Sequence, residues 1–210
     1  MISLRDVENR REWDDYAEGR GEVVIPLNRD ARLCVSYKAM SDLSPLSTLL
    51  ADDLQVLEIT CTRKLEDTQL RHIQGLTGLL GLALWETDIG DAACMYLGRM
   101  SNLRWLDIGD TQITDEGLAF IRRMPYLEEL TLLNTQIGNA GLQHLAGLSK
   151  LKRLDLKRTK VSDAGFELLR KLPGLESLRI TDTAISYPVY ARLKSALPGC
   201  EIEYRECARI

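Results

Sequence analysis

Leu103-Arg104-Trp105-Leu106-Asp107-Ile108-Gly109-Asp110-Thr111-Gln112-Ile113 is a pattern that returns along this chain in register. Segments starting at Leu79, Leu103, Leu127, Leu151 and Leu175 all open L-x-x-L-x-[LI]-x-x-T-x-[IV], each start 24 residues after the last. Five aligned copies are not chance, and a fixed period of this length marks a stacked array in which each copy buries its apolar side against the next. A sixth copy begins at Leu54, with Thr62 in place and one extra residue before Leu65. A weaker seventh precedes it: Leu33 and Val35 stand 24 residues before Leu57 and Ile59. Cys200-Glu201-Ile202-Glu203-Tyr204 reads as a last, shortened strand.

Each copy changes period halfway. In Leu103-Arg104-Trp105-Leu106-Asp107-Ile108 the apolar residues Leu106 and Ile108 alternate with polar ones, which puts them on one face of a short strand. Ile113, Leu118, Ile121 and Met124 then follow a helical spacing after Thr114-Asp115, whose side-chain oxygens can cap free N–H groups. A strand followed by a helix is expected in every copy. Pro125, Pro173 and Pro198 fall after the helices, where a fixed φ and a missing N–H end them. Gly117, Gly141 and Gly165 share one helix column with Ala93, Gln69 and Val189, and a small residue there would let neighbouring helices approach closely.

These copies resemble the leucine-rich repeat over residues 30 to 204, most of all the cysteine-containing subclass and its bacterial relatives, L-x-x-L-x-L-x-x-[CTN]-x-I-[TS]-D-x-G-L-x-x-L. Thr62, Thr87, Thr111, Thr135, Thr159 and Thr183 fill the slot that Cys or Asn fills elsewhere, and their hydroxyls are expected to bond backbone and stack as a ladder. The resemblance implies an α/β fold, a right-handed horseshoe solenoid with an inner parallel β-sheet and outer α-helices. The expected divisions are an N-terminal cap over 1–29, a degenerate copy over 30–53, copies from 54, 79, 103, 127, 151 and 175, a terminal strand over 200–204, and a tail over 205–210. Some relatives are substrate-recognition adaptors of ubiquitin ligases and others are bacterial proteins or effectors. The 29 residues before the repeats are too few for the adaptors' usual docking domain.

Strands sit about 4.8 Å apart and packed helices about 8 to 10 Å, so the stack curves and the alternating strands leave one concave sheet face open. Repeat proteins bind partners on such surfaces. The third positions of successive copies run Arg32, Val56, Gly81, Trp105, Glu129, Arg153, Ser177; the fifth, Cys34, Glu58, Ala83, Asp107, Thr131, Asp155, Arg179; the seventh, Thr60, Trp85, Gly109, Leu133, Lys157, Thr181. Trp85, Trp105 and Leu133 would face solvent, with Gly81 beside Trp105 and Gly109 beside Trp85 leaving each indole room to lie flat. Acids, including Asp107, Asp110 and Glu129, come from the early and middle copies, whereas Lys157, Arg158 and Arg179 come from the late ones. That polarity would orient a partner, unless internal pairs such as Asp155 with Arg153 or Arg179 absorb it. Trp85, Trp105, Asp107, Asp110, Glu129, Leu133, Lys157, Arg158 and Arg179 are therefore the candidate partner-binding residues.

The rest of the sequence narrows the function classes. The 27 Lys and Arg against 31 Asp and Glu give a net charge of −4, which makes nucleic acid an unlikely partner. No run of eighteen apolar residues occurs, and the opening residues lack the apolar core of a signal peptide, so a soluble, cytoplasmic, monomeric chain is expected. Five cysteines without a C-x-x-C pair read as reduced thiols. His72 and His144 share a column three copies apart, too far to share a metal or a proton. No phosphate loop, H-E-x-x-H or G-x-S-x-G occurs. The expectation is a non-enzymatic module, without cofactor or metal, that binds a protein or peptide on its concave face. The alternatives are a phosphate-bearing or nucleic-acid ligand on the basic late copies, and a scaffold role for the convex helices.

Overall fold

The computed structural model describes residues 32–35, 43–172 and 174–205. A strict repeat length brings the chain back to the same place once per copy, so equivalent strands lie side by side. Eight of them form one parallel sheet in chain order: β1 (Arg32–Val35), β2 (Val56–Ile59), β3 (Gly81–Ala83), β4 (Trp105–Asp107), β5 (Glu129–Thr131), β6 (Arg153–Asp155), β7 (Ser177–Arg179) and β8 (Glu201–Glu203). Register pairs equal columns, as in Leu82 with Leu106, Leu106 with Leu130 and Leu130 with Leu154. This leucine column and the sixth-position column of Ile59, Leu84, Ile108, Leu132, Leu156 and Ile180 are buried throughout, in one continuous core. Each such side chain contributes about 1.5 to 3 kcal/mol of apolar burial.

The outer layer differs from the expected run of α-helices. Helices α1 (Asp91–Leu97), α2 (Asp115–Ile121), the single-turn α3 (Phe166–Leu169) and α4 (Tyr187–Ala196) are present, but the copies from 54 and 127 carry 3-10 turns at Asp67–His72 and Gly141–Leu145. In the latter, Ile137-Gly138-Asn139-Ala140-Gly141 replaces Ile113-Thr114-Asp115-Glu116-Gly117, losing the threonine cap and adding a second glycine. Thr114 does cap α2, accepting from the Glu116 N–H. Pro188 sits in the first turn of α4, where a missing N–H costs nothing.

Two columns absent from the sequence reading hold the coil together. The residue after each seventh position, Cys61, Glu86, Asp110, Asn134, Arg158 or Asp182, takes φ between 51° and 59°, the left-handed conformation that turns the chain out of the sheet. From there the N–H groups of the first five reach the next copy, as in Glu86 to the Gly109 carbonyl and Asp110 to the Leu133 carbonyl. The threonine hydroxyls do not ladder between copies: those of Thr87, Thr111, Thr135, Thr159 and Thr183 donate 2.7 Å to the carbonyl three residues back in their own turn. The second column is Asp67, Asp91, Asp115, Asn139 and Asp163, whose side-chain oxygens accept the N–H of Gly90, Thr114, Gly138, Ser162 and Ser186 one copy later. The small-residue column exists to admit them. A Cβ on Gly117 would stand 2.6 Å from Asp91 Oδ1, and one on Gly141 2.5 Å from Asp115 Oδ1.

At the far end, Tyr190 and Tyr204 stack with centroids 4.5 Å apart and pack against the last coil, with Tyr187 tilted beside them. The expected N-terminal cap over 1–29, Pro173 and the tail beyond residue 205, including Cys207, lie outside the described residues.

Candidate functional site

The third, fifth and seventh positions of the copies lie along the sheet face opposite the core, and there the two tryptophans occupy a small, well-defined arrangement. Trp105 in β4 is the register partner of Gly81 in β3. Its ring covers that glycine so closely that a Cβ there would come within 2.1 Å of Cε2. Trp85, just beyond β3, leans the other way, its Cδ1 3.1 Å from where a Gly109 Cβ would stand. The indole N–H donates 2.9 Å to Asp110 Oδ2, and Asp110 Oδ1 accepts from Asn134 Nδ2. Trp85, Trp105 and Leu133 are each half-buried rather than fully open, the two indoles because the glycines let their rings lie down. Both expected glycine contacts are present.

Between the two indoles the fifth column supplies Ala83 and Asp107, paired in register. Asp107 is half-buried, and its Oδ1 accepts the Gly109 N–H at 2.9 Å. Burial first, and then the negative charges of Asp155, Asp110 and Glu58, hold its carboxyl above the ordinary aspartate range against the lowering effect of that N–H.

The late copies are less free than their composition suggests. Arg153 pairs with Glu129, and Lys152 with Glu128 at 3.0 Å. Arg179 reaches both Asp155 at 3.4 Å and Glu203 at 3.2 Å, Lys157 reaches Asp155 at 3.9 Å, and Arg158 reaches Asp182 at 3.7 Å. The lysine's hydrogen bond and charge lower the Glu128 carboxyl, and the same contact raises Lys152. Of the two internal pairs expected for Asp155, the one with Arg179 forms, while Arg153 turns to Glu129 instead. Apart from Lys157–Asp155, which lies within one copy, these pairs join neighbouring copies, and Lys157, Arg158 and Arg179 lie two to three strands from Trp105.

Cys94 is fully buried in α1, where burial, with help from Asp91 and Asp67, pushes its thiol up to about 12. Among the described residues no group of three His, Cys, Asp or Glu could hold a metal ion. No described helix is long and apolar enough to cross a membrane. Sequence reasoning missed Asn134, the residue that fixes Asp110; its signal was the eighth-position column, where Asp110 and Asn134 are adjacent entries.

A family model described as leucine-rich repeat matches residues 99–121. Among solved structures, the chain resembles internalin C2 from Listeria monocytogenes, with 29% identity and a TM-score of 0.66 over 83% of this chain and 70% of that one. It also shares the fold of a leucine-rich-repeat protein from Leptospira interrogans, with 18% identity and a TM-score of 0.58 over 88% of this chain, and spans 53% of that protein's length. No match was found among curated proteins.

Proposed function

We propose that this leucine-rich-repeat protein is a non-enzymatic, cytoplasmic interaction module that holds a protein or peptide on its concave sheet face, with Trp85 and Trp105 as the anchors. One observation carries the reading: two indoles lie on the open face of the sheet, each laid over or beside a glycine, where neither contributes to the core. Large aromatic surface at the centre of a concave face is the kind that carries most of the energy of an interface. Leu133 extends the apolar area, Asp107, Asp110 and Glu129 give it an acidic border, and Lys157, Arg158 and Arg179 set the far end. The cross-strand pairing of the late cations weighs against a phosphate-bearing ligand, because each arginine already spends its charge on a carboxylate. Unpaired thiols at Cys61, Cys94 and Cys200 support a reducing compartment.

The test is affinity capture from the native host by the wild-type chain and by the Trp85→Ala/Trp105→Ala variant, with bound proteins identified by mass spectrometry. Loss of both anchors is expected to lower capture at least about tenfold. Equal capture by the two would end the proposal.

A further inference from the structure

The indole slot also carries a sign of charge, and this specifies its occupant. In the four copies spanning residues 54 to 150, the third, fifth, seventh and eighth positions hold Glu58, Glu86, Asp107, Asp110 and Glu129, and no Lys or Arg. Arg32 and Arg153 neutralise the outer two, Glu58 and Glu129. Among the described residues, no ion pair reaches Glu86, Asp107 or Asp110. The three uncompensated acids lie in the same two coils as Trp85 and Trp105.

Residues two pairs apart on a strand are separated by about 13 Å, so the ring over Gly81 in the third column and the ring beside Gly109 in the seventh stand at the two ends of a short slot. Ala83 and Asp107, paired in register in the fifth column, lie between them. Aromatic faces attract cations, and an acid in the same partly desolvated place adds to that attraction. A neutral or acidic side chain would leave Asp107 buried deeper with no charge to meet it, which is costly. The negative charge of Asp110, which no ion pair offsets, is already felt by Asp107 and makes the slot more receptive to a cation.

We propose that the partner of the concave face is a basic peptide segment that seats an Arg or Lys side chain between Trp85 and Trp105 and against Asp107. The inference rests on the concave-face reading above and goes beyond it by fixing the partner's chemistry. Arginine suits the slot better than lysine, since its flat guanidinium can stack on an indole while donating to the carboxylate.

The experiment pans a random nonapeptide phage library against the full 210-residue chain and against its Trp85→Ala/Trp105→Ala and Asp107→Asn variants, each first shown by circular dichroism to melt cooperatively. Wild type is expected to select peptides sharing an Arg or Lys at one position. In a synthetic copy of such a peptide, replacing that residue with Gln is expected to weaken binding about tenfold, as is Asp107→Asn, with little further loss when both are made together. Peptides without a shared cation that still need the tryptophans would overturn the basic occupant and leave the concave face standing. Peptides indifferent to the tryptophan variant would overturn both. A library that yields no binder overturns the basic peptide as the occupant.

Discussion

A carboxyl raised by burial and by acidic neighbours favours its protonated form in the folded state, and Asp107 is such a group. The unfolded chain then binds fewer protons than the native one over the interval just above the ordinary value of 3.8, so stability falls as pH rises through it. Asp107→Asn is therefore expected to raise the thermal midpoint at neutral pH, with the gain shrinking as pH drops below that interval, read by thermal scans across pH. The amide oxygen can still accept the Gly109 N–H, so the comparison isolates the charge. Gly81 offers a second residue-scale check. A methyl group at this position would occupy the space of the Trp105 ring. Gly81→Ala is expected to swing the indole into water, seen as a red shift of tryptophan emission, with a much smaller change in midpoint than any core truncation. Both glycine neighbours could be read off the columns, but the depth to which each ring settles could not, because it depends on side-chain torsions that no periodicity encodes.

At the scale of an element, the start of each convex segment does more than cap its own turn. Asp91 accepts from the Thr114 N–H, the Thr114 hydroxyl and the Gly117 N–H, all in the next copy. Asp91→Ala leaves the Thr114 N–H and hydroxyl without this partner, while the Gly117 N–H keeps the Thr114 carbonyl, and is expected to cost about 1.5 to 3 kcal/mol, measured by urea unfolding. Asp88→Ala is the control, since Asp88 is exposed and three residues upstream, and should change stability little. The sequence marks the aspartate column plainly at its period, yet the local signal Thr114-Asp115 points to helix capping alone. The cross-copy bond is invisible locally because donor and acceptor are 23 residues apart in the chain. The same limit explains the outer layer: periodicity places apolar residues inward in every copy, but α and 3-10 turns bury almost the same positions, and the choice falls to caps and glycines.

For the molecule as a whole, stability comes from contacts between adjacent coils, whose buried side chains form one continuous core. Leu106→Ala, in the middle of that stack, is expected to lose about 2 to 5 kcal/mol, while Trp105→Ala in the adjacent strand position should lose far less, as compared by denaturant melts of the two variants. The opposed fates of neighbouring residues follow from strand alternation alone. That much was written in the chain: a 24-residue period, leucines at fixed places and a turn-making half per copy leave a stacked parallel sheet with one bare face as the arrangement that buries the apolar columns. What only the folded molecule decided is how the bare face is furnished. Whether Arg153 meets Asp155 or Glu129, and whether an indole stands up or lies on a glycine, is settled by distances of a few ångströms between coils, and side-chain geometry at that range is set by packing in three dimensions, not by order along the chain.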